Sequence, residues 1–194
     1  MIAAKTKANG RRRTNRLWTF EEMVAELPES NLPSELWDGE LIMSPAPSFF
    51  HQQIVDRFHD ALKAHLRPRR LGTTAAAPLD MVLTNTRVTQ PDVVFISNAR
   101  RSLIQTHLMG AADLVAEVIS PTSRRRHRID KRDLYEQHGV KEYWLIDPGA
   151  GTVEVLHPTS GEYQLVGRWH AGENAESRLL KGFAAKVTDL FGQN

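Results

Sequence analysis

The chain has no cysteine, so disulfides, thiolate zinc sites and cysteine nucleophiles are excluded, although that absence does not fix a compartment. No apolar run approaches the roughly 18 residues needed to cross a bilayer, and the opening MIAAKTKANGRRRTNR lacks the apolar core of a secretory signal. The expectation is a cytoplasmic protein with no membrane attachment. The eight histidines show no HExxH or comparable spacing, which makes a zinc hydrolase a poor reading. Acids are missing from the opening stretch, where Lys5, Lys7, Arg11, Arg12, Arg13 and Arg16 stand. With those six cations set aside from the net charge of +2, the rest of the chain is at −4. Any affinity for nucleic acid must therefore come from that tail or from a local patch, not from the global field. What is there, 194 residues with 41% hydrophobic and 25% charged, suffices for one core. The expected organisation is a solvated basic tail over residues 1–16 and one domain over residues 17–194.

Local patterns predict the elements of that domain. WTFEEMVAELP places Thr19 and Glu22 three apart, a capping box, and ends in Pro28, so a short helix is expected from about Phe20 to Leu27. SELWDGELIMS reads as two strands around Asp38-Gly39, a dipeptide suited to the positive φ of a tight hairpin. After the helix-breaking SPAPS, Ile54, Phe58, Ala61, Leu62 and His65 recur at helical spacing behind Ser48 as cap, with His51 in the first turn. PLDMVLTN alternates, while PDVVFIS and DLVAEVIS are near-continuous apolar runs, and these three are expected as successive strands of a mostly antiparallel meander. A helix from Thr122 to about His138, stopped by Gly139, leads into the buried strand EYWLIDP, and TVEVLH with EYQLVG forms an outer hairpin. The fold class that results is α/β (α+β), a central mixed, mostly antiparallel sheet flanked by helices.

Glu117 stands inside LVAEVIS, and an ionised carboxylate in an apolar strand needs a cation, a proton or hydrogen-bond donors. Asp92 begins one strand and Glu117 lies near the end of the next, so antiparallel pairing brings both acids to one edge of the sheet. Two convergent carboxylates favour a shared proton or a divalent cation, and hard oxygen ligands without cysteine favour Mg2+ or Mn2+. The plainer alternative is that Asp92 caps a turn after Pro91 and Glu117 pairs with an arginine. Lys131, Leu134, Tyr135 and His138 form one helical stripe, which puts the Lys131 amine within reach of the acidic edge, or else leaves it snorkelling to solvent.

Read together, ELWDGELIMSPAPSFFH, QPDVVFIS, DLVAEVISPTSRRRHRIDKRDLYEQHGVKEYWLIDP and the closing LKGF and LF resemble the PD-(D/E)XK nuclease superfamily, and more closely its Uma-type (Uma-two) restriction endonuclease family. That resemblance implies a restriction-endonuclease-like core in which Asp92 and Glu117 ligate the metal. The superfamily lysine usually follows the second acid by two residues, where this chain has Ile119, and Lys131 looks like its migrated counterpart on the helix. Glu40 and His51 match auxiliary acidic and histidine positions of the family, each with a plain alternative as a hairpin residue or a helix-start residue.

The basic run Arg124, Arg125, Arg126, Arg128, Lys131 and Arg132 is either a solvated helix face or a set of contacts to a DNA backbone, for which Arg124, Arg125 and Arg128 are the candidates. The function expected is a metal-dependent endonuclease acting on DNA, with a homodimer as the simplest assembly, since two strands call for two sites. The competing reading is a module of the same fold that binds nucleic acid or a partner without cutting.

Overall fold

The computed structural model describes residues 16–27, 33–120 and 126–192, so the basic tail to residue 15 and Arg124 and Arg125 lie outside the described residues. In chain order the elements are α1 (Phe20–Glu26), β1 (Ser34–Trp37), β2 (Glu40–Met43), α2 (Phe49–Arg69), β3 (Gly72–Ala76), β4 (Met81–Thr84), β5 (Arg87–Thr89), β6 (Val93–Ser97), β7 (Leu114–Val118), α3 (Arg132–Gln137), β8 (Glu142–Asp147), β9 (Thr152–Thr159), β10 (Glu162–His170), β11 (Asn174–Glu176), β12 (Ala184–Lys186) and α4 (Val187–Phe191).

The local signals act as their chemistry requires. Thr19 and Glu22 form the reciprocal capping box that starts α1. Asp38 and Gly39 take φ of 51° and 81°, which closes the β1–β2 hairpin with Trp37 opposite Glu40. Ser48 caps α2 by accepting from the His51 amide, and the apolar stripe Ile54, Phe58 and Leu62 is fully buried.

Six strands form the main sheet in the order β10, β9, β8, β7, β6, β3. Only β7 and β8 run parallel; the other neighbours are antiparallel, so the sheet is mixed and mostly antiparallel. Alternation along the strands divides the core. Phe95, Leu114, Ala116, Val118, Trp144 and Ile146 pack with α2 and Phe183 on one face. Val94, Val115, Tyr143 and Leu145 pack with Tyr135 on the other, and Glu117, in step with Val115, belongs to that second face.

The expected three-strand meander is corrected. The strand β4 leaves the main sheet and joins a smaller one, ordered β2, β1, β5, β4, around Leu36, Val82 and Val88. The place beside β6 is taken by β3, whose sequence GTTAA carries no large apolar residue to announce a strand. Gly72 permits this pairing, because a Cβ there would lie 2.1 Å from the Ile96 carbonyl oxygen. The helix expected from Thr122 is also different in kind: its described part opens with a π-helical turn over Arg126–Lys131, and regular α-helix begins only at Arg132.

Candidate active site at one edge of the main sheet

Antiparallel pairing of β6 and β7 sets Val93 opposite Ala116, and the next position outward belongs to Asp92 and Glu117. Asp92 Oδ2 accepts from the Val118 amide at 2.7 Å. From the first turn of α2, His51 brings Nε2 to 3.1 Å from the Val118 carbonyl oxygen and 3.4 Å from Asp92 Oδ2. His51 Nδ1 is buried and has no hydrogen-bond partner among the described residues. Burial opposes charge on this ring, but the hydrogen bond and the charge of Asp92 outweigh it and hold the imidazole pKa above its ordinary value.

Glu117 is 1% exposed, and its Oε1 accepts from Lys131 Nζ at 2.7 Å and from the Tyr135 hydroxyl at 2.6 Å. Lys131 and Tyr135 are four apart, so one helical face delivers both donors to one oxygen. The lysine also contacts Glu35 Oε1 at 2.8 Å. Glu35 comes from β1 in the smaller sheet, and it is held by the Gln90 amide at 3.1 Å and the Trp37 indole N–H at 3.2 Å. Burial works against the Lys131 charge, yet Glu117 and then Glu35 more than reverse it and raise its pKa. Burial and the same two carboxylates push the Tyr135 pKa well up, so it stays a neutral donor.

The structure thus brings together four of the five candidate site residues, Asp92, Glu117, Lys131 and His51. Glu40 is not among them: it is exposed, at the turn end of the hairpin, whereas Glu35 is 5% exposed within β1 and occupies the site. Sequence reasoning passed over Glu35. The available signal was its spacing from Trp37, which puts an acid and an indole donor on one strand face.

Arg128, a candidate contact to DNA, meets two acids of the main sheet. Its guanidinium lies 2.8 Å from Glu154 Oε2 and 3.2 Å from Asp147 Oδ2, two buried carboxylates on β9 and β8, and Arg168 completes the network at 2.7 Å from Glu154. Two desolvated acids claim this cation, which ties the π-helical turn to the sheet.

The donor set at the edge suits a hard divalent cation. Asp92, the Val118 carbonyl and Glu117 offer oxygens, with an imidazole beside them. Glu35 and Glu117 share the buried ammonium of Lys131, while Asp92 faces His51. Among the described residues no three His, Asp or Glu side chains form a ready-made metal cage.

Comparison with solved structures defines the class. A crystal structure from Anabaena variabilis ATCC 29413, titled "a putative nuclease belonging to DUF820", shares the fold with a TM-score of 0.74 at 22% identity, covering 89% of this chain and 97% of that one. The architecture is therefore the mixed α/β fold of that structure. The chain belongs to the Uma2 family, described as "Putative restriction endonuclease", which matches residues 20–188. A search of curated proteins returns no match. Among the described residues no helix is long and apolar enough to cross a membrane.

Proposed function

We propose that this protein is a metal-dependent endonuclease that hydrolyses DNA phosphodiester bonds at the edge formed by Asp92, Glu117 and the Val118 carbonyl. The observation that carries the reading is the convergence of Asp92, His51 and the Val118 carbonyl beside a Glu117 held by Lys131 and Tyr135. Asp92 and Glu117 are the residues to hold Mg2+ or Mn2+. Bound there, the cation supplies Lewis acidity to the phosphoryl group and neutralises charge in the transition state.

The chain's own residues divide the remaining work. Asp92, fixed by the Val118 amide, presents a carboxylate at the mouth of the site, where its side chain is 16% exposed. His51 faces the same opening and is placed to donate a proton or to orient a water. Lys131 is held as an ammonium by two carboxylates, which raise its pKa and suit it to donate, not to take a proton. It is a positioning residue that fixes Glu117 and offsets its charge. Resemblance to the superfamily adds water attack that leaves a 5′-phosphate, and a twofold pair of copies as the simplest way to cut both strands.

The test is incubation of supercoiled plasmid with purified protein in Mg2+, in Mn2+ and in EDTA. Nicked or linear product is expected with either cation and none in EDTA; equal cutting in EDTA counts against the reading. A second reading, a module that binds without cutting, draws on the burial of Lys131 and Glu117 at 3% and 1% exposure. It requires DNA binding that survives EDTA and no product under any cation.

Arg128 supplies a separate prediction. Arg128→Gln leaves Asp147 and Glu154 short of their cation and is expected to cost about 2 kcal/mol in urea unfolding, below the full penalty for a buried pair because Arg168 stays on Glu154. The salt slope of DNA binding is expected to stay unchanged. A slope lower by about one would return Arg128 to the phosphate backbone.

A further inference from the structure

The surface between β2 and α2 is exposed without being charged. From Leu41 to Phe50 the sequence LIMSPAPSFF has no ionisable side chain, in a protein where 25% of residues are charged. Met43 and Phe50 are 52% and 45% exposed, and Phe49, at 80%, is the most exposed large hydrophobic residue among those described. The apolar strip ends at His51, the residue that touches Asp92 and the Val118 carbonyl. Phe50 and Phe49 precede that histidine by one and two residues in the first turn of α2. Ser48 caps the helix that carries them.

A phenyl ring offers neither charge nor a conventional hydrogen bond, only an apolar π face. On a nucleic acid the matching group is a base, and its face is available only where the strand is unpaired. The first turn of α2 contains no acid, so phosphates on either side of such a base meet no like charge there. We infer that Phe49 and Phe50 form a stacking platform for an unpaired base next to the site, so that the protein prefers single-stranded or locally unpaired DNA to continuous duplex. This rests on the nuclease reading of the site and adds a substrate class to it.

The experiment measures fluorescence anisotropy in EDTA, where nothing is cut, with a labelled single strand and a blunt duplex of the same length. The wild type is expected to bind the strand more tightly. Phe49→Ala with Phe50→Ala should weaken strand binding about fivefold or more, the usual strength of base stacking on an aromatic ring, and leave duplex binding within about twofold. Phe49→Trp with Phe50→Trp should keep the preference, and unchanged thermal unfolding is expected because both rings are solvent-facing. Equal affinities in the wild type, no strand binding, or a double alanine variant that binds like the wild type overturns the platform. So does a wild-type dimer that the alanine variant dissociates, since the rings would then belong to a subunit interface. An inert wild type that still shows the aromatic-dependent preference removes the nuclease reading alone. A metal-dependent nuclease without that preference removes the platform alone.

Discussion

Asp92→Asn is expected to lower metal-dependent plasmid cleavage about a thousandfold or more while the protein stays folded. The size follows from removing one of two charged metal ligands, a loss of several kcal/mol of transition-state stabilisation at about 1.4 kcal/mol per tenfold in rate. The fold survives because asparagine keeps an oxygen acceptor for the Val118 amide, so stability should fall by only about 1 kcal/mol. The His51 ring loses its carboxylate partner, and its pKa should drop toward or below the ordinary imidazole range. Nuclear magnetic resonance of the imidazole protons reads that shift independently of cutting. Calorimetry should show weakened Mn2+ binding. A folded variant that cuts at the wild-type rate would falsify the assignment of Asp92.

Lys131→Met is expected to be the most destabilising single change at the site. It leaves Glu35 and Glu117 buried without the cation between them, and breaking a buried ion pair from one side costs about 3–5 kcal/mol. In the wild type the lysine pKa is raised on folding, so its stabilisation is complete below about pH 10 and fades only as pH rises through the folded value. In the variant the sign reverses. One of the two crowded carboxyls takes up a proton on folding, so its folded pKa lies above the unfolded one, and the deficit relative to wild type shrinks as pH falls. Urea unfolding at neutral and acid pH reads this directly. Adding Glu35→Gln to Lys131→Met should restore part of the stability, because one uncompensated charge disappears. Cleavage should stay down by about a hundredfold, since Glu117 lacks its holder. Recovery of both together would mean that Lys131 is structural only.

The features read from sequence were those set by neighbours along the chain. The capping box at Thr19, the Asp38-Gly39 turn and the Ser48 cap depend on groups a few residues apart, and the structure shows each as expected. The edge acids were legible for another reason: Glu117 is conspicuous inside an apolar run, and strand alternation fixes where it points. Helical spacing put Lys131 and Tyr135 on one stripe, but the hydrogen bond from the Tyr135 hydroxyl to Glu117 was not legible. Glu35 was only partly legible: its spacing from Trp37 puts the two on one strand face, but its partner Lys131 lies on a distant helix that SELW does not announce. The same holds for β3, whose place is set by the approach of its backbone to β6 at Gly72, not by apolar side chains of its own. Arg128 looked like part of a charged surface because Asp147 and Glu154 are near it only after β8 and β9 have been laid down.

The charge cluster draws on both sheets, Glu35 from the smaller one and Glu117 from the larger, joined through Lys131. During synthesis Glu35 emerges early and waits, with no ammonium to meet, until the helix bearing Lys131 has left the ribosome. On the proposed reading, the growing polypeptide stays latent toward the nucleic acids around it. Its cutting power switches on only when the two sheets have docked around Lys131.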